Sequence, residues 1–244
     1  MLVKFLIVLL FLGISDGLRR NSCSQNYADP TKIIVVLLLP KDNLYLASYY
    51  KVAPAIKWAI DRIREKGVLP GLELVLMERD TACDPAKGTW EAMRAFIEYP
   101  LNLFLGPSCD YVAAPVARLL KFIHIPMITA GALAYDFGIE DRRNNESEYH
   151  MLVRTGWSFY GMSHAIQKFF EKFKWRKMAF LYQIDGRPEV IKDHYCYLAI
   201  QAVYDTLFLE KNCTIKQHKL MPDMKKEHLL DIVKREVGTE YASK

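Results

Sequence analysis

The chain has 244 residues, room for one large domain or two small ones, and is 51% hydrophobic and 25% charged. That balance excludes a disordered chain, and 12 Gly and 11 Pro spread along the length exclude collagen-like or low-complexity readings. The net charge of +5 is small, and Lys and Arg alternate with Asp and Glu rather than forming a stripe, so the electrostatic footprint of a nucleic-acid binder is missing.

Residues 1–17 read as a cleaved secretory signal. Lys4 supplies a positive start, Phe5 to Ile14 is an apolar run of ten, and Ser15 and Gly17 are small residues at a cleavage site after Gly17. A membrane span needs about 20 apolar residues, and neither this stretch nor any later one is that long. The product is therefore expected to be exported and soluble. In an oxidising compartment Cys23, Cys83, Cys109, Cys196 and Cys213 pair by default, and the odd count leaves at least one without an internal partner. No Cys-x-x-Cys occurs, so no metal site is expected. Asn145-Glu146-Ser147 and Asn212-Cys213-Thr214 are glycosylation acceptors in keeping with export.

From Lys32 onward, short β-rich runs alternate with helical patterns. Ile33 to Leu39 is a continuous apolar run ended by Pro40, as expected for a strand covered on both faces. Ala53, Ile56, Ile60 and Ile63 repeat at helical spacing with charges on the opposite face. Leu72 to Met77 reads as the next strand, Pro85 to Glu98 as a helix, Leu103 to Leu105 as a strand, Val112 to Ile123 as a helix and Pro126 to Thr129 as a fourth strand. Asp136 to Tyr149 reads as an exposed loop. A second series follows: strand Met151 to Arg154, helix Phe159 to Phe173, strand Lys177 to Tyr182, helix Asp193 to Leu209, strand Ile215 to Leu220 and helix Glu227 to Val237. Such alternation implies doubly wound parallel sheets. The last helix leads to no further strand, so the second lobe is expected to be incomplete.

Enzyme motifs are missing: no Gly-x-Ser-x-Gly elbow, no Walker loop, no His-Glu-x-x-His, and no Gly-x-Gly-x-x-Gly after the first strand. The six His are scattered singly, which fits surface or structural roles. What remains lies at strand ends. Asp80-Thr81-Ala82-Cys83-Asp84 and Leu105-Gly106-Pro107-Ser108-Cys109-Asp110-Tyr111 both fall at the carboxyl edge of a parallel sheet, where open α/β sheets bind ligands. A Cys83–Cys109 bridge would staple these loops, and Ser108 and Cys109 open a helix whose N–H groups favour anions. Spacing alone fits a stapled loop pair without a ligand equally well.

Leu105-Gly106-Pro107-Ser108-Cys109-Asp110-Tyr111-Val112-Ala113-Ala114-Pro115-Val116-Ala117-Arg118 resembles the helix-opening signature of natriuretic peptide receptor ectodomains. Ile125 to Ala134, Val36 to Leu46 and Pro54-Ala55-Ile56 are similar to that family as well. The likeness runs from Lys32 to Val237 and thins after Arg154. It implies a two-lobed type I periplasmic-binding-protein-like fold, truncated, with lobe 1 over 32–154 and a partial lobe 2 over 155–244. It further implies a peptide hormone of natriuretic type gripped by a homodimer when the chain is complete, with membrane attachment only through a missing C-terminal span. Any guanylate cyclase would belong to missing regions, so no enzymatic activity is expected from this chain. A small-molecule receptor of the same fold superfamily, or a soluble secreted peptide trap, is the alternative.

By the same resemblance, Cys83 and Cys109 match the family's first disulfide. Cys196 matches half of a second, whose partner would lie beyond Lys244, leaving Cys196 unpaired or diverted to Cys213. The only bound ion implied is chloride, at the Ser108 and Cys109 amides with the Thr81 hydroxyl. Hormone contacts carry over to Asp84, Tyr111, Arg118, Tyr182, Tyr197 and His218, while Leu198, Leu220 and Met221 depart from the family's residues. Residues 1–244 alone are expected to be marginally stable and to bind hormone poorly, because both lobes lack later segments of chain.

Overall fold

The computed structural model describes residues 29–139, 148–189, 194–208 and 213–238. The expected signal peptide, Cys23, Asn145 and Asn212 lie outside the described residues. The chain folds as two compact units. The first gathers residues 29–131 and 148–155, the second residues 132–139 and 156–238, so the short segment 132–139 groups with the second unit.

The first unit is a five-stranded, all-parallel sheet built on β1 (Lys32–Leu39), β2 (Glu73–Asp80), β3 (Leu103–Leu105), β4 (Met127–Thr129) and β5 (Leu152–Arg154), in the order β2-β1-β3-β4-β5. Parallel neighbours need crossovers, and α1 (Tyr49–Glu65), α2 (Pro85–Glu98) and α3 (Asp110–Ile123) supply the first three. β1 lies between β2 and β3, and Val35 to Leu39 are all buried, as its unbroken apolar run requires. Its odd-numbered side chains meet α1: Leu37 and Leu39 join Tyr49 and Ala53 in one cluster, with Val52 and Ile56 against it. The alternate face carries Val36 and Leu38, and α2 packs on β1, β2 and α3. A Cβ at Gly88 of α2 would sit 2.2 Å from Val112 Cγ1, so this glycine lets α2 and α3 approach.

Local chemistry sets the helix starts. Asp84 caps α2, its carboxylate accepting from the Lys87 amide at 2.6 Å, and Pro85 follows at the first turn, where a missing N–H costs nothing. Ser158 caps α4 (Phe159–Phe173) by accepting from the Gly161 amide at 3.2 Å.

In the second unit, β6 (Lys177–Tyr182) and β7 (Thr214–Lys219) form a two-stranded parallel sheet. α4 and α5 (Tyr195–Phe208) pack together, and Phe170, Phe180, Val203 and Leu207 form the core, with Met178 and Tyr182 against it. α6 (Lys226–Ile232) continues into a π-helical turn, Val233–Val237. Part of the loop expected over 136–149 is ordered differently: Tyr135–Gly138 is a 3-10 turn with Phe137 buried, and Tyr149 is buried too. Phe137 and Tyr149 bury aromatic surface that the surrounding charged sequence hides from a polarity count.

Phe104 is fully buried in β3. Phe104→Ala is expected to lower unfolding free energy by about 3–5 kcal/mol, read from urea denaturation, through lost burial plus the cavity left behind.

Candidate ligand-binding site

Because all five strands of the first unit are parallel, Leu39, Asp80, Leu105, Thr129 and Arg154 end at one edge. The loops there are tied to one another. Cys83 and Cys109 form a disulfide with Cα atoms 5.7 Å apart, as expected, joining the loop after β2 to the start of α3. Ala82 and Cys83 adopt positive φ, +48° and +54°, so the loop turns sharply to deliver the thiol. The Thr129 hydroxyl donates to the Pro107 carbonyl at 2.6 Å and accepts from the Gly131 amide at 2.9 Å, tying the loop after β4 to the loop after β3. A Cβ at Gly131 would lie 2.2 Å from the Ser108 carbonyl oxygen, which only glycine permits. Gly106, at φ +88°, runs as close to the Leu38 carbonyl.

Charge is organised around this frame. Asp80 accepts from the Lys41 amide at 2.9 Å and the Ala82 amide at 3.0 Å, and its other oxygen meets Lys87 Nζ at 2.6 Å. Burial pushes its carboxyl up, but Lys87 and the two amides together outweigh that and hold it below the ordinary value. Asp110 is buried in the first turn of α3. Burial lowers the Arg154 guanidinium at the end of β5, and the Asp110 carboxylate works against that shift.

The residues singled out from sequence fall into two groups. In the first unit, Thr81 is fully buried and its hydroxyl accepts from the Cys83 amide at 3.2 Å. Ser108 Oγ points to the Ala47 carbonyl at 3.5 Å, and the amides of Ser108 and Cys109 have no hydrogen-bond partner among the described residues. Two such amides at a helix start fit an anion. The Asp110 carboxylate beside them opposes one, and Arg154 offsets it in part. Asp84 is exposed but its carboxylate is engaged in the α2 cap. Tyr111 is 42% exposed on α3, and Arg118 stands two turns further along the same face.

Arg118 is exposed but already partnered. Its Nε pairs with the Glu148 carboxylate, its other nitrogen donates to the Tyr149 hydroxyl at 2.8 Å, and its guanidinium lies 5.4 Å over the Tyr149 ring. Glu148, Tyr149, Thr129, Gly131 and Asp110 were not singled out from sequence. Gly131, directly after a strand, carried a readable cue for close backbone approach, whereas Glu148 and Tyr149 lie 30 and 31 residues from Arg118 and carried none.

In the second unit, Tyr182 ends β6 and its ring lies 6.5 Å from that of Tyr197 near the start of α5. His218 does not join them. It pairs with Leu181 in register while Tyr182 pairs with Lys219, so strand alternation sends His218 to the opposite face, with Nδ1 3.8 Å from Glu236. Neither Cys196 nor Cys213 forms a disulfide among the described residues. A Cys196–Cys213 bridge is ruled out by topology. Cys196 sits in the first turn of α5 beside Gly186, past the end of β6, while Cys213 precedes Thr214, which pairs with the first residue of β6. A bridge needs Cα atoms within about 7 Å, and the strand between these ends is longer than that.

A doubly wound α/β unit with a disulfide-tied carboxyl edge is the architecture of a ligand-binding domain. Residues 51–243 match the family described as the receptor family ligand binding region, and the chain belongs to that family. It is 31% identical over 183 residues to human atrial natriuretic peptide receptor 3, covering 72% of this chain and 32% of that protein. Receptor 3 of Rattus norvegicus is 30% identical over 216 residues, 86% of this chain and 38% of the relative. Receptor 2 of the same species is 31% identical over 177 residues, 72% of this chain and 16% of the relative. The chain thus spans about a third of the length of the receptor 3 relatives it matches. No helix among the described residues is long and apolar enough to cross a membrane.

Closure of the 26-residue separation by the disulfide is worth about 3.5 kcal/mol in the chain-entropy model. A Cys83→Ser, Cys109→Ser double variant should unfold at correspondingly lower urea, and non-reducing peptide mapping of the parent should recover the two half-cystines linked.

Asp80 gives a pH dependence with a defined sign. Its folded-state pKa is depressed, so its contribution is present above the unfolded value of about 3.9 and is lost as pH falls through the folded value. The melting temperature gap between parent and Asp80→Asn should therefore be widest near neutral pH and close as the pH drops below 4 (about the unfolded pKa).

Proposed function

We propose that this chain serves in the extracellular ligand-binding region of a peptide-hormone receptor of natriuretic type, paired with a second copy in the working receptor. The observation that carries the reading is α3. It starts at the disulfide-tied edge, exposes Tyr111, and carries Arg118 on the same face. Kinship with receptors named for atrial natriuretic peptide supplies the ligand class.

In this reading Tyr111 packs against an apolar side chain of the peptide, and the Arg118 fork meets a peptide carboxylate that exchanges for Glu148. Glu148 thereby keeps Arg118 oriented before the ligand arrives. Asp84, Tyr182, Tyr197 and His218 are the further contacts of the same proposal, with His218 serving a face of the sheet different from that of Tyr182. Chloride belongs to it as well. The Ser108 and Cys109 amides would hold the ion, with the Thr81 hydroxyl as third donor, and it would supply negative charge at the start of α3.

A charge-assisted contact is worth about 1.5–3 kcal/mol. Arg118→Ala in an ectodomain completed beyond Lys244 is therefore expected to weaken binding of labelled atrial natriuretic peptide about tenfold to a hundredfold, with Arg118→Lys restoring part of it. Glu148→Gln should change affinity less than Arg118→Ala. No saturable peptide binding by the completed ectodomain, or unchanged affinity in its folded Arg118→Ala variant, would overturn the reading.

A further inference from the structure

Charges alternate along most of the chain but not across the end of α4. Lys168-Phe169-Phe170-Glu171-Lys172-Phe173-Lys174-Trp175-Arg176-Lys177 holds five cations and one carboxylate, and every one of these residues except Phe170 is exposed. Glu171 is taken up by Lys168 at 2.8 Å. No carboxylate among the described residues pairs with Lys172, Lys174, Arg176 or Lys177.

Between these cations stand three large aromatic rings. Phe169 and Phe173 stack at 6.3 Å with planes 3° apart, and Phe173 and Trp175 stack at 5.2 Å with planes 22° apart. They are 55%, 52% and 49% exposed, taken in chain order. The αL turn at Lys174, φ +54°, ends the helix and swings Trp175 back, where its amide donates to the Phe170 carbonyl at 3.0 Å. The Trp175 ring then meets buried Phe170 edge-on at 5.5 Å. Lys172 Nζ lies 5.8 Å over the Phe173 ring.

A helix C-terminus attracts cations, which accounts for Lys172 and Lys174. It accounts neither for Arg176 and Lys177, which lie past the helix, nor for three half-exposed rings kept in register. We propose that this ladder binds a sulfated polysaccharide. The four cations without a carboxylate partner among the described residues meet sulfate and carboxylate groups along a linear polyanion, and the half-exposed apolar edge of the ring ladder lies against the sugar rings between them. The rings stack on one another and Trp175 is seated edge-on against buried Phe170, so the ladder is held rather than splayed for an acyl layer, which favours a polysaccharide over a lipid surface. The proposal is independent of the peptide reading.

The test is the salt dependence of heparin binding by the whole secreted chain. Four cations releasing counterions predict a log–log slope of about −3.6, a loss of about a hundredfold between about 50 and 200 mM NaCl. Lys172→Gln, Lys174→Gln, Arg176→Gln together should flatten the slope to about −1 and weaken binding at the lower salt at least about tenfold. Arg62→Gln, Arg64→Gln, Lys66→Gln at the C-terminal end of α1 removes the same charge and should change neither. Trp175→Ala should weaken binding at unchanged slope, and desulfated heparin should not bind. Absence of heparin binding at low salt, or an unchanged slope in the α4 triple variant with its urea midpoint intact, overturns the proposal. Binding to phosphatidylserine vesicles without binding to heparin would replace it with a lipid surface.

Discussion

The first unit depends on a strand that must be hidden on both faces. β1 offers no polar side for water, so it needs a strand on each flank and a helix over each face. Parallel pairing with helical crossovers meets that demand and brings every strand out at one edge. Once the strands are parallel, the loops after β2, β3 and β4 have nowhere else to lie. The disulfide and the Thr129 hydroxyl then tie loops that the sheet has already brought together.

The parallel frame explains why the edge tolerates so much buried polarity. Thr81, Asp110 and Thr129 are buried there, and each polar group sits where a loop amide, a loop carbonyl or a facing charge can meet it. Asp80 takes two amides and an ammonium. An edge fixed by such contacts is preorganised, and a ligand meeting it would not have to order these loops on binding. The contrast with the second unit is in what holds the candidate residues. There, Tyr182 and Tyr197 meet through ring contact at the end of a two-stranded sheet, and His218 faces away.

Arg118 shows how a functional reading and a structural one share a side chain. Its guanidinium already has a carboxylate and a phenol, so it is positioned rather than loose. The pair with Glu148 is exposed, and exposed pairs contribute little to stability. The arrangement is therefore well oriented yet cheap to break, as the partner exchange proposed for Arg118 requires.

Much of this was open to reading along the chain. Periodicity and strand-length apolar runs determined the alternation of strands and helices, because a β1 of seven apolar residues ended by Pro40 has few other stable forms. The caps at Asp84 and Ser158 are local too, since each acts within four residues of its own helix. The two cysteine-bearing loops could be assigned to one edge from parallel topology alone. Contacts between distant positions could not be read in the same way. Arg118 with Glu148 and Tyr149, Gly131 against Ser108, and the burial of Phe137 depend on how the chain returns to itself after β4. Likewise the face to which His218 points depends on the register of β7 against β6, where a shift of one residue reverses every side chain. Local sequence determines what a segment can become. Which residues then meet is decided by packing, since only the folded chain brings positions thirty residues apart within hydrogen-bonding reach.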